Sequence, residues 1–264
     1  MLESVQEIAP AVESVETTHA KHSPMHQFEI TKIDGFEFSL FGIDLSITNS
    51  TLAMFGITAL LMVLLSFLVS ALSNIPNKKQ ALAEVLYNFI KNLVTSNINN
   101  SQSAKFVPLI FSLFLFIFFS NAFGLLPYAF TITSHIAVTA SLAFIVFALN
   151  VAIGMYKNGF IGFFAALVPS GVPKALAPLM LVIEFFTYLA RPLTLAVRLS
   201  VNMVAGHTMM KVVAGFVGMM GAFGILPIVF NTALTGFEFF VAGLQAYIFS
   251  MLSCIYINDA LSHH

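Results

Sequence analysis

The chain has 264 residues with a formal net charge of −1; 58% are hydrophobic and only 9% charged, against about 25% charged in a soluble domain. That composition excludes a water-soluble globule and describes a polytopic integral membrane protein. The near-neutral balance offers no basic surface for nucleic acid, and a single cysteine, Cys254, excludes an intramolecular disulfide or a cysteine-built metal site.

Residues 1–48 read as an acidic tail. Glu3, Glu7, Glu13, Glu16, Glu29, Asp34, Glu37 and Asp44 stand against only Lys21 and Lys32. A secretory signal would start basic and turn apolar, and a mitochondrial transit peptide would be arginine-rich and poor in acids; the tail matches neither. His19, His22 and His26 lie close enough together to raise a metal clip, but a solvated tail is the simpler reading, and no metal or cofactor is expected.

Residues 49–264 read as a membrane domain. The first apolar span covers about 51–73, with Asn49 or Ser50 expected as its cap. In "KKQALAEVLYNFIKNLVTSNINN", Leu82, Val85, Leu86, Phe89, Ile90 and Leu93 recur at helical spacing among Lys78, Lys79, Glu84 and Lys91. This pattern predicts an amphipathic helix lying on the membrane surface. Further spans are expected at 106–126 and about 136–155, whereas 158–171 is too short to cross and is interrupted by Pro169 and Gly171.

Residues 173–220 and 222–258 are each apolar for far longer than a perpendicular crossing needs. Forty helical residues reach about 60 Å, twice the hydrocarbon core. Two long, tilted, antiparallel helices are therefore expected, with Pro178, Pro192 and Pro227 as places to bend. The fold class is all-α: five transmembrane helices plus one surface helix. Lys78, Lys79, Lys91, Lys105, Lys157 and Lys174 then share one side, and the opposite loops offer only Lys211 and the region of His135. The positive-inside rule puts the N-terminal tail outside and the C-terminus inside.

The two long helices carry polar stripes. Glu184, Arg191 and Arg198 are seven apart, so they share a face that drifts only about 20° per heptad, and Asn202 joins them. On the last helix Asn231, Glu238, Gln245 and Asp259 follow one heptad series whose missing member is Leu252. Laid antiparallel at constant register, His207 meets Glu238, Arg198 meets Gln245, and Glu184 meets Asp259. Histidine and carboxylates exchange protons, whereas an arginine between them stays charged and blocks a continuous path. The stack reads as two half-paths that meet at a mobile carboxylate from another subunit.

Plainer roles compete at several positions. Arg191 could be an ion-pair partner for Glu184 or another carboxylate; His207 could bond a backbone carbonyl; Asn202 could bridge helices; Asn121 reads more readily as packing than as path. Cys254 reads as packing. For Arg198 a passive role is hard to sustain, because a mid-bilayer arginine costs between about 2.5 and about 17 kcal/mol.

At these residues the sequence resembles subunit a of the F-type rotary ATP synthase. "RLSVNMVAGH" is similar to that family's Arg-x-x-x-Asn-x-x-x-Gly segment, and "LQAYIFSMLSCIYINDA" to its last-helix segment. "NAFGLLPYAFTITSH", "HQFEI" and "TNSTL" extend the resemblance from about residue 26 to 260. The resemblance implies that Arg198 is the essential arginine and that the hairpin 173–260 faces a ring of c subunits. It implies an outer proton path through His207, Glu238, Asn202 and Gln245 and an inner one near Glu184 and Asp259, with Arg191 and Asn121 supporting. His207 paired with Glu238 follows the mitochondrial and alphaproteobacterial style, so the membrane expected is the inner membrane of one or the other. Partners implied are the c-ring, the peripheral-stalk subunit b, other membrane-sector subunits and lipids. No Walker loop occurs, so the chemistry of ATP is expected elsewhere and no nucleotide is expected on this chain. The competing classes are a proton-coupled secondary transporter, which should show repeated halves, a structural subunit of a respiratory complex, and a sodium-driven rotor.

Overall fold

In hydrocarbon a chain must satisfy its own backbone hydrogen bonds, so long apolar segments become helices. The structure, a computed structural model, describes residues 39–40, 43–44, 48–69, 77–98, 103–126, 131–166, 173 and 176–262. A two-residue antiparallel pair, β1 (Ser39–Leu40) and β2 (Ile43–Asp44), precedes six helices. These are α1 (Asn49–Val69), α2 (Lys78–Asn97), α3 (Val107–Gly124), α4 (Ile136–Ala166), α5 (Ala177–Met219) and α6 (Ile225–Ser262). All except α2 are long and apolar enough to cross a membrane, in agreement with five crossings and one surface helix. The tail histidines, Pro169, Gly171 and Lys174 lie outside the described residues.

Local chemistry corrects several expected boundaries. Thr48, not Asn49 or Ser50, caps α1: its hydroxyl accepts the Thr51 N–H at 3.4 Å. The third span, expected to end at about 155, runs on to a kink at Gly159, whose φ of 71° suits glycine, and helix resumes beyond it to Ala166. Pro178 and Pro227 sit in the first turns of α5 and α6, where a missing N–H costs nothing, so they start helices instead of bending them. Only Pro192 lies inside a helix, and α5 runs through it. Arithmetic on length holds: α5 has 43 residues and α6 has 38, about 65 and 57 Å, so both must tilt in a core of about 30 Å.

The core gathers around α3 and α6. Ile110 and Ile117 of α3 are fully buried. On α6, Ala242, Ala246, Phe249, Ser250, Ser253, Cys254 and Ile257 are buried at intervals of three and four, mostly small side chains that let helices approach. Cys254 is packing, as expected. The surface helix is only half a surface helix. Ile90, Leu93 and Val94 turn inward as α2 packs on α1, α3 and α6, while Leu82 and Val85 stay exposed on its apolar side. Phe89 bridges to Phe114 and Tyr247 with ring centroids about 6 Å apart. α4 and the C-terminal end of α6 meet where the Lys157 ammonium donates to the Leu261 carbonyl. Burial lowers the pKa of His135 from the ordinary histidine value.

The turn between α5 and α6, Gly221–Gly224, depends on one glycine. A Cβ at Gly224 would stand 2.7 Å from the Val217 carbonyl oxygen, a backbone atom that cannot step aside. Gly224→Val should cost about 1–3 kcal/mol through overpacking. It should lower both the amount of the protein in membranes and the melting temperature in detergent; an unchanged melting curve would refute this account of the hairpin.

Candidate functional site

The outer half of the site is a buried polar seam. α5 and α6 lie antiparallel, and Gly206 faces Glu238 so closely that a Cβ at Gly206 would be 2.2 Å from the carboxyl carbon and both its oxygens. Met210 and Thr235 touch one turn further out, the Thr235 hydroxyl donating to the Met210 sulfur at 3.6 Å. Both contacts keep the constant register expected for His207 beside Glu238. His207 and Glu238 are 5% and 6% exposed. Oε1 of Glu238, Nδ2 of Asn202 and Oδ1 of Asn231 are buried without a hydrogen-bond partner among the described residues. Buried polar atoms left by the protein are ordinarily satisfied by water, so three orphans along facing stripes mark a seam suited to hydration. Asn202 makes no interhelical hydrogen bond, so it is not the bridge weighed above.

A third element closes this seam. The segment 131–134 folds in between α3 and α5. Thr131 places its hydroxyl 3.4 Å from Nε2 of His207, and Thr133 donates to Oδ1 of Asn121 at 2.6 Å. Asn121 in turn donates to the Ala242 carbonyl at 3.5 Å. Asn121 thus ties the turn to α3 and α6.

The centre of the site is a lone cation. Arg198 stands at the midpoint of α5, is exposed, and makes no ion pair or hydrogen bond among the described residues. Leu193, Val197 and Val201 around it are exposed and apolar. Gln245, expected opposite Arg198, is buried and is not hydrogen-bonded to it.

The inner end differs from the expected pairing. Constant register would set Arg191 opposite Leu252 and Glu184 opposite Asp259. Instead Arg191 reaches a heptad further along α6, with Nη1 2.8 Å from Oδ2 of Asp259, while Nη2 is 4.0 Å from Oε1 of Glu184. Its guanidinium also lies 5.5 and 5.3 Å from the ring centroids of Tyr188 and Tyr256. Glu184 and Asp259 are therefore brought together through Arg191 and do not meet directly. All three are about a quarter to a third exposed, so the cluster stands at the surface of the chain and is not enclosed by it.

A family model described as ATP synthase A chain matches residues 51–258. The chain belongs to that family. It is 48% identical to the ATP synthase subunit a of Pelagibacter ubique (strain HTCC1062) over 245 residues, 92% of this chain and 98% of that one. To the ATP synthase subunit a of Rhizobium johnstonii (strain DSM 114642 / LMG 32736 / 3841) it is 46% identical over 245 residues, 90% of this chain and 96% of that one. Family membership and five apolar helices make it a multi-pass protein of an energy-transducing membrane.

Several residues of the site escaped the sequence reading. Thr131 brings a hydroxyl to His207, and the hydroxyls of Thr133, Ser134 and Ser200 fasten the turn that carries it; the run "TITS" between two apolar spans was the available signal. Tyr188 and Tyr256 stand three residues before Arg191 and Asp259 respectively, a helical spacing that places each ring beside its charge. Gly206 could be read only as a small-residue contact. Its effect is testable, because the group it would strike is the end of a flexible side chain. Gly206→Ala should assemble normally yet displace the Glu238 carboxylate, lowering proton conduction through the membrane sector by about tenfold, the scale of one lost buried polar contact. Wild-type conduction in vesicles would show that the close seat is immaterial.

Proposed function

We propose that the chain is the proton-translocating stator subunit of the ATP synthase membrane sector, working against the carboxylates of a c-ring. Protons enter from the outer side along the seam of His207, Glu238, Asn202 and Gln245 and load a ring carboxylate. As the ring turns, that carboxylate nears Arg198 and releases its proton to an inner path near Glu184 and Asp259, steadied by Arg191. Arg198 stays charged, so it repels a proton passing straight through while attracting the unloaded carboxylate. Each charge crossing 100 mV supplies about 2.3 kcal/mol, which rotation carries to ATP synthesis elsewhere. Subunit b and the other membrane-sector subunits hold the chain against the ring, with lipid around the rest. The bacterial relatives favour a bacterial inner membrane over a mitochondrial one.

One observation carries this reading. Of two arginines on the same helix face, Arg191 is held by carboxylates of its own chain, and Arg198, exposed on an apolar surface, is not. A cation so placed is too costly to keep without an external counter-charge. A secondary transporter would instead enclose its charges between repeated halves.

Arg198→Ala should abolish ATP synthesis driven by a proton gradient, whereas Arg191→Ala should leave a measurable rate. Synthesis at the normal rate after Arg198→Ala, or the reverse order of the two variants, would end the proposal. Glu238→Gln should slow proton uptake from the outer side several-fold in reconstituted vesicles, and unchanged flux would remove Glu238 from the path.

A further inference from the structure

One group that touches His207 comes from outside the two long helices. Thr131 is 1% exposed, and its hydroxyl is 3.4 Å from Nε2 of His207. Its seat is cut to size by Gly124: a Cβ there would stand 2.8 Å from the Thr131 methyl and 3.1 Å from its hydroxyl. The turn behind Thr131 is tied to three helices. Thr133 donates to Asn121 of α3 at 2.6 Å, and Asn121 donates to the Ala242 carbonyl of α6. Ser200 of α5 donates to the Ser134 carbonyl at 2.7 Å, and the Ser134 hydroxyl donates to the Thr131 carbonyl at 2.6 Å. Thr131, Thr133, Ser134 and Asn121 are all buried, so moving the turn would break several hydrogen bonds away from water.

A fixed hydroxyl against one ring nitrogen does something specific. Imidazole has two distinct nitrogens, and a hydrogen bond at one sets the orientation of the ring and which nitrogen carries the proton. A hydroxyl both donates and accepts, so it keeps that contact in either protonation state of the ring by rotating. Resting on the assignment of His207 to the outer path, we propose that Thr131 is a positioning residue for His207. Its hydroxyl holds the imidazole in the seam, and the 131–134 turn is a third wall of the outer inlet, beside α5 and α6. Hydroxyl chemistry, not bulk, is what this position supplies.

Threonine can be divided to test this. Valine keeps its shape and loses the hydroxyl; serine keeps the hydroxyl and loses the methyl. The measurement is proton uptake from the outer side by the complete ATP synthase in liposomes, normalised to assembled complex. Thr131→Val should lower the rate about tenfold, the scale of one lost buried hydrogen bond, and Thr131→Ser should retain most of it. Gly124→Ala, which pushes the same side chain off its seat, should reproduce the loss and decides the matter if Thr131→Val does not assemble. A normal rate in Thr131→Val, or a serine variant slower than the valine one, would overturn the inference. Glu238→Gln in the same vesicles separates the two levels. A slowed Glu238→Gln beside a normal Thr131→Val defeats Thr131 alone; normal rates in both defeat the outer path itself.

Discussion

A guanidinium in hydrocarbon must find a counter-charge, and α5 meets that demand in two ways on one face. Arg191 is surrounded by its own chain: Asp259, Glu184 and the rings of Tyr188 and Tyr256. Arg198, one heptad on, has no carboxylate partner among the described residues, though its charge is felt at Tyr256, and it stands exposed at the middle of the helix. The cost of an isolated mid-bilayer arginine, from about 2.5 to about 17 kcal/mol, is of the order of a whole domain's stability. Such a group persists only if something outside the chain compensates it. The rest of the structure is arranged around that asymmetry: a partly exposed ionic cluster on one side of Arg198 and a buried polar seam on the other.

Close approach makes the seam possible. α5 and α6 are each far longer than a bilayer is thick, and the glycine at 206 lets the Glu238 carboxylate lie against the α5 backbone. Small side chains on the inward face of α6 bring it equally near to α3, where Asn121 and the 131–134 turn join. The polar groups are thereby confined to a narrow strip, and the orphan atoms of Asn202, Asn231 and Glu238 along it have no hydrogen-bond partner among the described residues.

How far the site was legible depends on range along the chain. Two residues seven apart on one helix share a face whatever the rest of the protein does, so the stripes of α5 and α6 were readable, and so was the register of their outer stretch, which Gly206 facing Glu238 keeps. The inner pairing was not. A constant antiparallel register sets Arg191 against Leu252, but an arginine side chain is long enough to pass an apolar neighbour and reach Asp259, and the ion pair repays the reach. The hydroxyls of Thr131 and Thr133 were equally hidden, because nothing local ties a turn between two spans to a histidine 76 positions away.

The linear order of residues by itself determined the membrane class, the five crossings, the surface helix and the two oversized helices with their stripes. Each follows from composition and from periods of a few residues, which hydrocarbon enforces through the backbone's need to bond itself. Tertiary structure alone decided which arginine is neutralised, where Gly206 makes room for a carboxylate, and that a hydroxyl-bearing turn reaches His207. Those outcomes depend on the rotation and offset of helices against one another, and on side-chain reach across the gap, quantities that no local period encodes.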